Sequence, residues 1–161
     1  MNNPKSILFV CLGNICRSPL AEGVFQHLVR EAGSAGQYRI ESAGTGAWHV
    51  GNPADPRSRD VAHRAGITLE SAARQVQPED FHEFDYIVAM DRENLRNLER
   101  LQARHGGDAR LFLLRDHDPE PGNGEVPDPY YGGPGGFDDV LQMVFRACVQ
   151  LLADIETGAM E

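Results

Sequence analysis

Five residues separate Cys11 from Arg17 in the run Val10-Cys11-Leu12-Gly13-Asn14-Ile15-Cys16-Arg17-Ser18-Pro19, and this pattern suits nucleophilic attack on a bound phosphate ester. A free cysteine is only about 3% thiolate at pH 7, but a helix N-terminus and a neighbouring arginine lower its pKa by several units. Cys11 is therefore the candidate nucleophile. The planar guanidinium of Arg17 can hold two phosphoryl oxygens at once and stay with them as charge spreads in the transition state, which the point charge of a lysine does less well. Gly13 permits close backbone approach, and Asn14 tolerates a left-handed conformation while its amide ties the loop. Ser18 has two candidate roles: capping the following helix, or donating its hydroxyl to the Cys11 sulfur so that sulfur leaves more easily in a second, hydrolytic step. A cysteine at the end of a buried strand is often just a small hydrophobe. Gly, Asn, Arg, Ser and Pro at compatible offsets argue against that here.

Such a loop needs a strand before it and a helix after it. Ser6-Ile7-Leu8-Phe9-Val10 is a nearly continuous apolar run, as expected of a parallel strand buried on both faces. Ser18-Pro19 reads as N-cap and first helical residue. The loop between them would aim several backbone N–H groups and the positive end of the helix at one spot, where a phosphate dianion fits. Further along, the patterns predict strands near 38–43, 84–90 and 110–114 beside the first at 5–11. Helices are predicted near 18–32, 56–66, 92–105 and 136–154, with Asp91 an N-cap and Gly106-Gly107 a stop. Alternating strand and helix implies an α/β fold of one domain, residues 1–161: three layers, a four-stranded parallel sheet with helices on both faces, and the phosphate-binding loop after the first strand. The nucleophile then sits at the carboxyl end of that strand, where open parallel sheets bind ligands. Neither repeats nor a linker are evident, and Thr157–Glu161 reads as a frayed tail.

A second chemical group is expected in the Pro- and Gly-rich stretch Arg115 to Gly136, since long loops inside compact domains are usually functional or disordered. Asp128 lies between Pro127 and Pro129, which restrict its backbone and hold its carboxyl in one place. Asp118 also precedes a proline. Either could protonate a phenolate leaving group, whose conjugate acid has a pKa of about 10, and spacing alone leaves both open.

At this point the chain resembles the low-molecular-weight protein tyrosine phosphatases, whose signature C-x-G-N-x-C-R-S-P is matched at every fixed position. Further matching blocks are Glu41-Ser42-Ala43-Gly44-Thr45, Ala73-Arg74-Gln75, Phe84 to Asp91 and Asp128-Pro129-Tyr130-Tyr131-Gly132, in the family's order, so the resemblance runs from about Lys5 to about Leu152. It implies phosphotyrosine hydrolysis through a cysteinyl-phosphate intermediate, with Cys11, Arg17 and Asp128 catalytic and Asp128 the general acid and later base. It also implies a phosphate-binding loop of Leu12, Gly13, Asn14, Ile15, Cys16 and Ser18, supported by Ser42. Trp48, His49, Tyr130 and Tyr131 become pocket walls, with Leu12 and Ile15 at the mouth and Val50 beside it. Implied partners are phosphotyrosine-containing proteins and a cognate tyrosine kinase, which could phosphorylate Tyr130 or Tyr131. Related arginine phosphatases carry threonine at the position of Ile15, so tyrosine specificity is the favoured reading and arginine the alternative. An arsenate reductase of related fold needs two more cysteines mid-chain, and none lies between Cys16 and Cys148. A binding module without catalysis would be expected to have lost the nucleophile or the acid.

Cys16 is spaced from Cys11 so that a loop folding back on itself could form a reversible disulfide protecting the nucleophile; the plainer reading is loop filling. Cys148 falls with Val140, Leu141, Val144, Phe145, Val149 and Leu152 on one helical stripe and reads as core. Composition agrees with a small enzyme: 161 residues, 41% hydrophobic, suffice for one core. Three cysteines without framework spacing point to a reducing, cytoplasmic compartment. The N-terminal apolar run is too short for a membrane span. A formal net charge of −9 argues against nucleic acid, leaving steering of an anionic substrate to Arg17, with Arg57, Arg59 and Arg64 either helping or forming a solvated helix face. The six histidines lack ligand spacing, Gly44-Thr45-Gly46 lacks the third glycine of a dinucleotide loop, and no lysine-containing P-loop occurs. No metal and no cofactor are expected, and no oligomer beyond a monomer or weak dimer.

Overall fold

Ile7, Leu8, Phe9 and Val10 are wholly buried because their strand has a neighbour on each edge and a helical layer on each face. In this computed structural model, which describes residues 4–130, 132 and 136–160, the chain runs β1 (Lys5–Cys11), α1 (Arg17–Glu31), β2 (Tyr38–Gly44), α2 (Pro56–Arg64), α3 (Asp80–Glu83), β3 (Tyr86–Ala89), α4 (Arg92–His105), β4 (Arg110–Leu113) and α5 (Gly136–Glu156). Short 3-10 turns occupy Ala35–Gln37 and Leu114–His117. The sheet is parallel throughout in the order β2-β1-β3-β4. Register aligns Cys11 with Gly44 on one side and Val10 with Ala89 on the other, so the carboxyl ends of the three strands form one edge.

Alternation along β1 divides the core. Ile7, Phe9 and Cys11 join one apolar cluster with Phe25 of α1 and Val144, Cys148 and Leu151 of α5, whereas Leu8 and Val10 join another with Leu98 of α4 and Phe81. The Phe9 and Phe25 rings lie 5.8 Å apart. Cys11 is thereby committed to the α1 side of the sheet.

Three features depart from the sequence reading, the first being the expected frayed tail, whose Met160 is buried in the core cluster beside α5. The buried stripe of α5 runs through Phe137, Val140, Val144, Ala147, Cys148, Leu151 and Ile155, whereas Val149 is exposed. Cys148 keeps its core place, but the stripe is rotated toward Ala147 because α1 meets that side. The four-residue α3 and the 3-10 turns were not anticipated, being too short to show a period. Among the described residues no helix is long and apolar enough to cross a membrane.

Candidate active site

Between β1 and α1 the chain turns its carbonyl groups outward. Cys11 O accepts from Thr45 N, Leu12 O from Gly46 N and Ile15 O from Asp55 N, at 2.8 to 2.9 Å, and the hydroxyl of Ser58 donates to Cys16 O at 3.3 Å. Among the described residues no peptide bond is cis. In a trans peptide the N–H opposes the C=O, so the amides of Leu12, Gly13, Cys16 and Arg17 face the inside of the loop. A Cβ on Gly44 would lie 2.8 Å from Leu12 O, so glycine is needed for β2 to come this close. Asn14 supplies the left-handed residue, with φ of 57°.

Helix α1 begins at Arg17 with Cys16 as its N-cap, and no side chain caps it. This corrects the reading of Ser18 as cap and Pro19 as first helical residue. Pro19 remains inside the first turn, where a missing N–H is harmless, and Ser18 spends its hydroxyl elsewhere, 3.0 Å from Cys11 Sγ.

A buried chain of bonds surrounds that contact. Ser42 Oγ lies 2.5 Å from Glu22 Oε1, Asn14 Nδ2 2.9 Å from Ser42 Oγ and 2.8 Å from Ser18 Oγ. An ionised carboxylate only accepts, so Ser42 donates to Glu22 and accepts from Asn14. Asn14 gives its other amide hydrogen to Ser18, whose own proton has two acceptors in reach, Ala43 O at 3.4 Å and the sulfur, which as a thiolate can only accept. The Ser71 hydroxyl donates to Glu22 at 2.9 Å, and Asn14 Oδ1 accepts from Arg74 N at 3.0 Å. Burial pushes the Glu22 carboxyl above its ordinary 4.5, although Ser42 and Ser71 work the other way. A carboxyl whose folded-state pKa is raised contributes stability at pH below its unfolded value and loses it as pH rises through the folded one. Glu22→Gln is therefore expected to gain melting temperature relative to wild type as pH increases above about 4.5. A difference in melting temperature that stays constant across pH would contradict the assignment.

Arg17 closes the loop from the other side. Its Nη1 donates to Asp91 Oδ2 at 2.7 Å and to Val126 O at 3.0 Å, and its Nη2 lies 3.7 Å from Asp128 Oδ2. Burial opposes the guanidinium's charge, but Cys11, Asp91 and Asp128 outweigh it and hold Arg17 protonated. Burial, and after it Asp55, push the Cys16 thiol up to about 12. Cys16 is thus a neutral thiol at ordinary pH.

The two aspartates left open by spacing have different environments. Asp118 has no exposed side-chain surface and is gripped by Arg115 Nε at 3.0 Å and Arg146 Nε at 2.7 Å. Burial works against its charge, yet Arg146, the Glu120 amide and Arg115 more than offset this and hold it below the usual carboxylate range. Arg115 also donates to Glu125 O and Glu120 O, both at 2.7 Å, so this cluster pins the segment leading to Asp128. Asp128 itself is 41% exposed, and its Oδ1 accepts from Tyr130 N at 3.0 Å.

Cys11, Leu12, Gly13, Ile15, Cys16, Arg17, Trp48, His49, Asp128 and Tyr130 line one cavity of about 430 Å³. Its floor is the loop, and its walls are aromatic. Trp48 folds back over Gly46, where a Cβ would lie only 1.8 Å from the indole, and the His49 and Tyr130 rings are 6.3 Å apart. Arg57 lies over the Tyr130 and Phe137 rings and holds Asp55 at 2.9 Å. Such a cavity takes an aromatic ring between its walls and a phosphate against its floor.

The sequence profile of the family described as low molecular weight phosphotyrosine protein phosphatase matches residues 6–159. The chain belongs to that family. It is 43% identical over 152 residues to the low molecular weight protein-tyrosine-phosphatase YfkJ of Bacillus subtilis, covering 94% of this chain and 96% of that protein. Identity is 48% over 147 residues to the low molecular weight phosphotyrosine protein phosphatase of Schizosaccharomyces pombe, covering 89% of this chain and 93% of that one. The crystal structure of YfkJ superposes with a TM-score of 0.91 at 40% identity, covering 98% of each chain. A Drosophila arginine phosphatase superposes with a TM-score of 0.88 at 32% identity, covering 92% of this chain and 96% of that one.

As a member of the low-molecular-weight phosphatases, the chain brings Cys11, Arg17, Asp128, the loop and three of the four expected wall residues to one place; Tyr131 lies outside the described residues. Val50 is exposed and does not line the cavity. Arg59 donates to Ala54 O, and Arg64 faces Asp60 and Asp138. Sequence reasoning missed Glu22, Ser71 and Asp91 as neighbours of the site. For Glu22 the one available signal was an acid beside small residues on the inner side of α1.

Proposed function

We propose that this phosphatase hydrolyses phosphotyrosine in protein substrates by two displacements at phosphorus. The observation that carries the reading is the meeting of Cys11, Arg17 and Asp128 in one aromatic-walled cavity floored by inward amides. The Cys11 thiolate attacks phosphorus and the bond to the phenolic oxygen breaks. Asp128 transfers its proton to that oxygen, so tyrosine leaves neutral, while Arg17 and the loop amides hold the three phosphoryl oxygens as charge moves among them. A cysteinyl phosphate and an Asp128 carboxylate remain. Water then attacks phosphorus and gives a proton to Asp128. The sulfur leaves as thiolate, stabilised by the Ser18 hydroxyl, and phosphate is released.

Ile15 at the mouth supports tyrosine over arginine as the phosphorylated residue, and the fold alone does not separate them, since an arginine phosphatase superposes nearly as well as YfkJ. The test is phosphate release from matched phosphotyrosine and phosphoarginine peptides by wild type and Ile15→Thr. Wild type should prefer phosphotyrosine, and the variant should shift toward phosphoarginine. A wild-type preference for phosphoarginine sinks the assignment.

Cys16 extends the reading to oxidative stress. If a peroxide oxidises the Cys11 thiolate to a sulfenic acid and is itself reduced, the Cys16 sulfur can attack the Cys11 sulfur, its proton leaving with the sulfenic hydroxyl as water, to form a disulfide that a thiol reductant later reverses. The high pKa of Cys16 makes this step slow. The need for a reduced nucleophile supports a cytoplasmic setting, where residues 1–161 act as one catalytic domain, a monomer or weak dimer, opposed to a tyrosine kinase.

A further inference from the structure

Helix α4 carries Arg92, Arg96, Arg100 and Arg104 at four-residue intervals, all exposed. At about 100° per residue they cover an arc of roughly 120°, and its middle lies about 180° from that of Leu95, Leu98 and Leu101, which pack against the sheet. The row is about 18 Å long and faces directly away from the fold. Like charges four residues apart repel each other. Elsewhere Arg74 is neutralised by Glu41 and Asp80, and Arg115 and Arg146 by Asp118, while Arg30, Arg59 and Arg110, which hold no carboxylate among the described residues, stand singly on α1, α2 and β4. On α4 only Arg92 is so held, 3.7 Å from Glu125 and 2.8 Å from Asn123 O. Arg100 reaches Asn97 on its own helix, and among the described residues Arg96, Arg100 and Arg104 hold no carboxylate.

A chain of formal net charge −9 that gathers three guanidinium groups without carboxylate partners on one helix face, beside the exposed Glu93 and Glu99, offers an anionic partner its densest run of such groups there. Among the described residues the large exposed apolar side chains, Leu12, Trp48, Val50 and Val149, all lie off α4, so nothing on this helix would enter a lipid surface. The row also begins at the site. Asp91, which holds Arg17, immediately precedes Arg92, and Arg92 grips the segment that leads to Asp128. The cavity mouth has less to offer an acidic chain, because Arg57 there is occupied by Asp55.

We propose that the Arg96, Arg100 and Arg104 face of α4 docks an acidic segment of the phosphoprotein substrate, tethering the chain whose phosphotyrosine enters the cavity. The inference rests on the phosphotyrosine reading above. Docking at a second point makes entry of the phosphotyrosine effectively intramolecular and lowers KM without changing the chemical step. Guanidinium groups suit this, since they pair with carboxylates in a planar fork.

The test compares an aryl phosphate, a phosphotyrosine peptide with neutral extensions and the same peptide with glutamate-rich extensions on both sides. Each is measured with wild type, R96Q/R100Q and the charge-matched control R30Q/R39Q. Wild type should favour the acidic peptide by about tenfold or more in kcat/KM at low ionic strength, through KM, and the advantage should fade as salt screens the contact. R96Q/R100Q should erase it while leaving aryl phosphate turnover unchanged, and the control should retain it. Equal kcat/KM for the two peptides in wild type overturns the proposal, as does an advantage lost equally in both variants. Binding of phosphatidylserine vesicles or duplex DNA that R96Q/R100Q abolishes, with no effect on the peptides, also overturns it and reassigns the face. Loss of wild-type activity on the aryl phosphate would instead strike the phosphatase reading itself.

Discussion

Cys11→Ser is expected to turn over aryl phosphates at least about 10⁵-fold more slowly than wild type, as removal of a covalent nucleophile does, while binding inorganic phosphate almost as well. The two halves of this result have separate causes. Phosphate affinity comes from the inward amides of Leu12, Gly13, Cys16 and Arg17 and from the Arg17 guanidinium, and none of these is altered by exchanging sulfur for oxygen. The attacking atom is altered. The group in contact with position 11 is the Ser18 hydroxyl, which is no base and cannot take a serine's proton. Rapid quenching should trap a phosphocysteine on the wild type and none on the variant, and phosphate affinity can be read by competition or calorimetry. Residual turnover near the wild-type rate would place the nucleophile elsewhere, whereas loss of phosphate affinity would mean that the loop had collapsed and that the amide cradle depends on the sulfur.

How much of this could be read from the chain depends on how local the cause is. The Cys11 to Pro19 loop is set by residues adjacent in sequence, so its chemistry was legible at once, and the long periodic helices α1, α4 and α5 fell within a few residues of their expected bounds. Ser18 shows where local propensity fails. By type it is a good cap, but Asn14 and Cys11 compete for its hydroxyl through the folded loop, and the helix begins at Arg17 instead. Glu22 looks like an ordinary surface position on α1 until β2 brings Ser42 and the segment before β3 brings Ser71 against it. Val149 belongs to the apolar pattern of α5 yet faces outward, since which apolar face is buried depends on where α1 lies. Asp118 and Asp128 shared one sequence signal, an aspartate held by proline. What separates them is Arg146, far along α5, and no spacing rule reports that contact.

That separation makes the second large prediction a paired one. Asp128→Ala should lower kcat by roughly 100 to 10,000 fold for substrates with poorly leaving phenols, and much less for those whose phenolate departs without a proton. KM should change little, because Asp128 lies at the cavity wall while the loop and Arg17 hold the phosphate. A plot of log kcat against leaving-group pKa should therefore steepen in the variant. Asp118→Ala should do something else. Its carboxylate has no exposed surface and bridges Arg115 and Arg146, so its removal leaves Arg115 charged in a buried site without its partner, at a cost of about 3–5 kcal/mol of stability. The expected outcome is a large fall in melting temperature, with the leaving-group dependence of the surviving folded enzyme like that of wild type. A steepened plot for Asp118→Ala and a flat one for Asp128→Ala would exchange the two roles. The geometry argues against that exchange because a proton donor must reach the phenolic oxygen in the cavity, and only Asp128 lines it.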